Sequence, residues 1–259
     1  MSWRGIFAGL TALGIVLLLA GAAGLPETLP AARRSTGGLR GTLHGFRLLR
    51  QDRLYMGVAL FMAIAGASIF AYLAGATFVL QKIYGPSPQG YSLAFALNSL
   101  GFMLLGQFSG RLARRWPASH LLAAGLALNL AGAASLCAVT LWHLPLVLLL
   151  ASLFVLVTAI ALATPPATAL ALAEYPSMAG AASSLLGFFG MVCGAAAAPF
   201  VGIAGERSAI PLVIVALSLS VGGNAIFRAI VWPRTRKPQH DHTAVPDPRA
   251  EVQPCAPTA

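Results

Sequence analysis

Seven long apolar runs alternate with short polar segments along this chain. They are Ile6–Leu25, Leu54–Leu80, Ser92–Gly110, Leu121–Leu141, Leu144–Leu172, Ala179–Ile203 and Ile210–Trp232. A helix rises 1.5 Å per residue, so about 20 apolar residues cross a hydrocarbon core of about 30 Å. The pattern predicts an all-α polytopic membrane protein with about seven transmembrane helices. Residues 1–25 form the first span, 26–53 a basic cytoplasmic loop, 54–232 a six-helix transmembrane bundle, and 233–259 a disordered cytoplasmic tail. That tail is Pro-rich and polar and has no apolar period with which to build a core.

Composition agrees. Of 259 residues, 58% are hydrophobic and 9% charged, against roughly a quarter charged in soluble domains. The net charge of +10 does not point to nucleic acid, because the arginines sit in short clusters between apolar runs rather than on one folded face. Six of them, Arg33, Arg34, Arg40, Arg47, Arg50 and Arg53, lie in the first loop. Arg4, the apolar run and the small residues 20–24 also fit a secretory signal peptide. Cleavage there would put all six arginines outside, so a retained span running from outside to inside is the better reading. Alternation then places Arg111, Arg114, Arg115, Arg228, Arg234, Arg236, Lys237 and Arg249 inside, and only Arg4, Lys82 and Arg207 outside. Basic loops of this length stay cytoplasmic. Leu39–Arg50 has the amphipathic period of a helix lying on the membrane surface.

The spans carry little chemistry. Glu27, Asp52, Glu174, Glu206, Asp241, Asp247 and Glu251 all fall in loops, at span ends or in the tail. The buried carboxylate usual in a proton-coupled transporter is therefore missing. Neutral polar residues do enter the spans: Asn98, Gln107, Asn129, Thr164, Thr168 and Asn224. Helix-to-helix hydrogen bonds account for Asn129 and Asn224. Tyr72 and Phe78 suit a pocket for flat lipophilic molecules and suit ordinary packing equally. Pro165-Pro166 bends its helix. Gly187, Gly190 and Gly194 give the sixth span a smooth packing face. Of the three cysteines, Cys137 and Cys193 sit in apolar runs and Cys255 in the tail, with no metal or disulfide spacing. His240 and His242 lie in the tail without a scaffold, and His44, His120 and His143 lie outside every span. No catalytic set, cofactor site or metal site emerges, which argues against an enzyme.

Other residues carry a family likeness. Phe78-Val79-Leu80-Gln81, Tyr84-Gly85, Ser87-Pro88 and Phe95-Ala96-Leu97-Asn98 together resemble the second half of the Bcr/CflA-type multidrug efflux transporters of the major facilitator superfamily. Trp3-Arg4, the first apolar run and Leu25-Pro26-Glu27-Thr28-Leu29 resemble that family's sixth helix and its exit into the central loop, and Ala167–Ala171 with the Gly/Ala-rich run resembles its tenth and eleventh helices. The superfamily's loop motif G-x-x-x-D-R-x-G-R-[RK] has a counterpart in Gly106–Arg115. Gly106, Arg111, Arg114 and Arg115 match, while Gly110 replaces the Asp and Ala113 the second glycine. The resemblance covers Trp3 to Trp232 and implies the fold of a major facilitator C-terminal half in a bacterial inner membrane. It also implies proton-coupled export of small lipophilic or drug-like compounds. Tyr72, Phe78, Gln81 and Asn98, with Thr164 and Phe188, would bind substrate, and Gly106, Arg111, Arg114 and Arg115 would form a gating loop. Its partners would be a small-molecule substrate, protons, the lipid bilayer and a missing N-terminal half that holds the coupling carboxylate. Export of a metabolite such as a sugar or amino acid, and a non-transporting membrane fragment, are the other readings.

Reporter fusions test the topology. Fusions after Arg53, Pro86, Trp116 and Pro233 should report inside, outside, inside and inside; a periplasmic signal at Arg53 would restore the signal-peptide reading.

Overall fold

A computed structural model describes residues 3–24, 38–79, 88–202 and 209–235. The described residues form helices and turns without strands: α1 (Trp3–Gly24), α2 (Gly38–Gln51), α3 (Arg53–Phe78), α4 (Pro88–Leu112), α5 (Ala118–Leu141), α6 (Leu146–Leu172), α7 (Ala179–Gly202) and α8 (Ile210–Ile226). A π-helical turn, Phe227–Val231, continues α8 into Trp232–Thr235. Among the described residues, seven helices of 22 to 27 residues are long and apolar enough to cross a membrane. The apolar runs of the sequence correspond to them, with ends shifted by a few residues. Gln81 and residues 236–259 of the expected tail lie outside the described residues, as does most of the loop before residue 38.

Residues 1–43 and 44–259 form separate units. In the first, α1 buries none of its residues. Its backbone bonds are internal, so a bilayer can solvate it as it stands. Thr11 returns its hydroxyl to the Phe7 carbonyl at 2.9 Å, which removes that donor from the lipid.

The second unit is a bundle of α3 to α8 with α3 at its centre, packed against α6, α7 and α8. α5 and α6 form the other tight pair, and α4 lies on α6. Small residues allow the close approaches. A Cβ on Gly66 would run into the Gly190 carbonyl, so α3 and α7 meet backbone to backbone at that point. A Cβ on Gly132 would lie 2.7 Å from the Leu156 nitrogen, seating α5 against α6. Such contacts replace the hydrophobic drive that lipid abolishes.

Polar ties then fix which helix meets which. Asn129 donates to the Leu156 carbonyl at 2.8 Å and accepts from the Ser220 hydroxyl at 2.7 Å, so α5, α6 and α8 share one buried knot. Asn224 donates to the Leu126 carbonyl at 3.0 Å and reinforces it. The expectation of helix-to-helix bonding for these two asparagines is met. Interhelical bonds of this kind contribute about 0.6–2 kcal/mol each.

Pro165 and Pro166 lie inside α6, which stays helical through them. Pro166 has no N–H to offer the carbonyl four residues back, that of Leu162. Ser109 of α4, fully buried, donates its hydroxyl to that carbonyl at 2.7 Å. The proline pair is thus tolerated because a neighbouring helix supplies the missing donor.

The α5–α6 corner closes on His143, which adopts φ 50°. The Leu144 N–H reaches back to the Val139 carbonyl at 3.0 Å. This is a Schellman turn with histidine where glycine is commoner.

The other end of the bundle gathers charge. Contacts between Tyr55 and Ala182, Asp52 and Tyr175, and His120 and Trp232 bring the starts of α3, α5 and α7 to the ends of α6 and α8. Arg47, Arg50, Arg53, Arg111, Arg114, Arg115, Arg228 and Arg234 are all exposed at this end. The C-terminal half of α2 docks here through Leu49, which is fully buried, and Phe46. Asp52 caps α3, accepting from the Leu54 N–H at 2.8 Å. Its other oxygen accepts the Tyr175 hydroxyl at 2.9 Å. Burial first, and then the bond to Asp52 and that carboxylate's charge, push the Tyr175 phenol up to about 12.

Two measurements check these ties. Ser109→Ala strands the Leu162 carbonyl and should destabilise the bundle by about 1–3 kcal/mol. Restoring an N–H with Pro166→Ala should remove most of that cost, so the double-mutant cycle gives a coupling of at least about 1 kcal/mol. The second concerns pH. Folding raises the Tyr175 phenol above its ordinary value of 10, so the stability it contributes is complete below pH 10 and lost as pH climbs toward 12. Thermal unfolding in detergent should show the wild type losing more stability than Tyr175→Phe across that window, and the two falling in parallel below it.

Candidate functional site

α4 carries Tyr91, Phe95, Asn98 and Phe102 at spacings of four, three and four, which places three rings and one amide on a single face. α3 and α4 do not pack backbone to backbone along their length; side chains bridge them. Asn98 donates from Nδ2 to the Tyr72 Oη at 2.7 Å. The Tyr72 and Phe95 rings stack with centroids 6.4 Å apart and planes 13° from parallel, and Tyr91 continues the stack at 6.4 Å. Thr77 and Tyr91 pair their hydroxyls at 3.1 Å. The bridge begins a short way in from the end of α3 and continues toward mid-span.

Around it opens a cavity of ≈ 200 Å³, lined by Ile69, Tyr72 and Leu73 of α3, Phe95, Asn98, Ser99 and Phe102 of α4, and Val157 of α6. A second cavity of ≈ 230 Å³ lies between α4 and α6 and shares Asn98. None of the residues lining either one is ionisable in the neutral range. Among the described residues no span holds an Asp or Glu in its interior.

The polar groups here are only partly used. Asn98 is 4% exposed, and its Oδ1 makes no hydrogen bond to any described residue. No wholly buried side-chain N or O among the described residues lacks a partner, so this oxygen is reached from the cavities. Tyr72 accepts from Asn98 and keeps its own proton to give. The site therefore presents two donors, the phenol proton and the second Nδ2 hydrogen, and one acceptor beside stacked rings. Had the Asn98 amide been turned over, the count would be the same, with the two amide N–H groups as donors and the phenol oxygen as acceptor.

Of the residues expected to bind substrate, Tyr72 and Asn98 are brought together. The Phe78 side chain and Gln81 lie outside the described residues. Thr164 is half-buried on α6, donates to the Ile160 carbonyl of its own helix at 2.7 Å, and lines neither cavity. Phe188 is 59% exposed on α7, with its ring edge-on to Phe189, and lines neither cavity. Gly106 lies in the last turns of α4 facing open space, Arg111 in its final turn, and Arg114 and Arg115 in the turn beyond, all three arginines exposed. Ser109, which anchors this segment to α6, sits inside the loop motif but was not singled out from the sequence. Phe102 was also missed, although the stripe from Tyr91 to Phe102 was there to be read.

A larger recess of ≈ 550 Å³ lies among α3, α7 and α8, lined by residues such as Leu60, Ala67, Ala196, Phe200 and Leu219. Its serine, Ser218, already donates to the Val215 carbonyl at 3.0 Å. It is a surface for hydrocarbon, with nothing to orient a polar ligand.

The family profile described as Major Facilitator Superfamily matches residues 1–199. The chain is also similar to an uncharacterized MFS-type transporter of Bacillus subtilis strain 168, YdgK, with 32% identity over 237 residues. The match takes in 90% of this chain and 58% of the relative, so the chain spans well under two thirds of the relative's length. With seven helices able to cross a membrane and a profile match over most of its residues, the chain belongs to the Major Facilitator Superfamily: it is a multi-pass membrane protein of a transporter family, not an enzyme.

Proposed function

We propose that this chain takes part in proton-driven export of small lipophilic or drug-like compounds across the bacterial inner membrane, together with a further helical bundle. One observation carries the reading: a member of a transporter family holds an open, aromatic, uncharged cavity around the Tyr72–Asn98 pair. Apolar walls with a few placed polar groups are what a lipophilic ligand needs. A free amino acid would require charged partners, and a sugar many more hydrogen bonds than two side chains can make. A metabolite exporter is therefore less well supported.

The further bundle is inferred from exposure and charge. α4 leaves Leu93, Leu97, Leu100, Met103 and Leu104 exposed, and α7 leaves Phe188, Met191 and Val192 exposed. These two faces are where a second bundle would lie. It would also supply the buried carboxylate for coupling, since no described span has one. The exposed arginines at the α3 start and α4 end would face the cytoplasm.

Proteoliposomes holding this chain alone, with an imposed proton gradient and lipophilic dyes, should show no gradient-dependent dye movement. A chimera joining the unmatched portion of the Bacillus subtilis relative to this chain should extrude dye and lose that extrusion to a protonophore. Uptake by the chain alone that a protonophore abolishes would overturn the two-bundle reading and turn attention to Glu174 and Glu206. A chimera that inserts normally and extrudes nothing would overturn export.

A further inference from the structure

We infer that the Tyr72–Asn98 cavity selects uncharged, flat aromatic compounds whose edge carries an amide-type donor beside an acceptor, and rejects permanently charged lipophilic cations. The inference rests on the transport reading above and deepens it to a substrate class.

Three features carry it. The first is shape. Tyr72, Phe95 and Phe102 all line the cavity, the first two with ring planes 13° from parallel, so much of its wall is aromatic. Flat π-systems gain more from such a wall than branched aliphatic groups do. The second is the hydrogen-bond inventory. A single 2.7 Å bond holds Asn98 and Tyr72 together and leaves one acceptor, Oδ1, within a few ångströms of two donors, the phenol proton and the second Nδ2 hydrogen. A primary or secondary carboxamide, a lactam or an amino-substituted heterocycle presents the complementary pair along one edge. A ligand that lacks it would leave both groups partly desolvated and unpaired, the kind of mismatch on which polar sites discriminate most strongly. The third is charge. The lining includes no carboxylate to receive a cation. Within a bilayer an ion needs a paired counter-charge, and ring faces alone offset only part of its lost hydration.

Ser99 adds no donor to this count, since its proton is committed to the Phe95 carbonyl at 2.9 Å. Thr77 and Tyr91 are likewise committed to one another. The discriminating pair is therefore Tyr72 with Asn98.

Binding by the full chain in nanodiscs tests the inference without requiring transport. The probes are a fluorescent coumarin carboxamide, its N,N-dimethyl amide, which lacks the donor, and a trimethylammonium analogue on the same ring. The carboxamide should bind about tenfold more tightly than either, the difference made by one or two well-formed hydrogen bonds. Asn98→Leu removes Oδ1, the acceptor that the amide N–H would meet, and should erase the preference for the carboxamide over the dimethyl amide, while Tyr72→Phe, which removes only a donor to the carbonyl both probes carry, should weaken both together. Asn98→Asp should invert the preference in favour of the cation, a gain that a misfolded protein would not show. Equal or tighter binding of the trimethylammonium probe by the wild type would overturn the inference, as would a carboxamide preference that survives in Asn98→Leu. If the preference holds and the chimera extrudes nothing, only the export reading falls. If the chimera extrudes cations as readily as amides, the substrate class falls and export stands.

Discussion

The bundle depends on one constraint: inside hydrocarbon, every backbone and side-chain polar group must find its partner within the protein. The Leu162 carbonyl shows the consequence. Pro166 takes away its intrahelical donor, and α6 remains a helix because Ser109 of α4 supplies another. The same demand explains why hydroxyls along the spans, at Ser68, Thr140, Ser152, Thr158 and Thr168 among others, fold back onto carbonyls of their own helices. It also explains why the asparagines reach further, Asn224 bonding the Ser220 carbonyl of its own helix and the Leu126 carbonyl of α5 as well. An amide has more bonding capacity than one turn of helix can satisfy, so Asn129 and Asn224 reach across to neighbours and set the order of packing. Asn98 differs because part of its capacity is left over, and that remainder opens into a cavity.

Much of the architecture was legible because it follows from length and composition alone. An apolar run that spans the bilayer must be helical, and seven of them were countable. The neighbours of each helix were not legible. Gly66 and Gly190 read as small residues in two different runs; that they touch is a property of the bundle. Pro166 announced an orphaned carbonyl, but nothing in the chain said that the donor would come from Ser109, 53 residues before it. The candidate site divides the same way. Tyr72 and Asn98 were singled out separately, one for its aromatic ring and one by family resemblance, and their hydrogen bond appears only in three dimensions. The ring-and-amide stripe on α4 needed only helical spacing and was available from the start.

The charged end shows how a few residues can serve both assembly and orientation. Arginines there favour one side of a membrane, while Asp52 caps α3 and receives Tyr175, so the two described carboxylates at that end have different fates. Asp52 is half-buried and bonded; Glu174 is exposed. Leu49 and Phe46 add an apolar anchor, which makes the end of α2 part of the bundle rather than a tether to it.

The partnership of α3 with α7 also sets a schedule. Tyr55 bonds to the Ala182 carbonyl across 127 positions, and Asp52 to Tyr175 across 123. A ribosome working at about 5–20 residues per second needs roughly 6–25 seconds to lay down that much chain. Throughout that interval the central helix of the bundle is already in the membrane while the helix that fits its glycine notch does not yet exist. Nascent α3 must therefore keep its Tyr55 hydroxyl and the bare backbone at Gly66 solvated by lipid, by the insertion machinery or by temporary neighbours, and exchange them for α7 late. Biogenesis of this bundle is governed less by how quickly each helix inserts than by how long α3 can wait for α7.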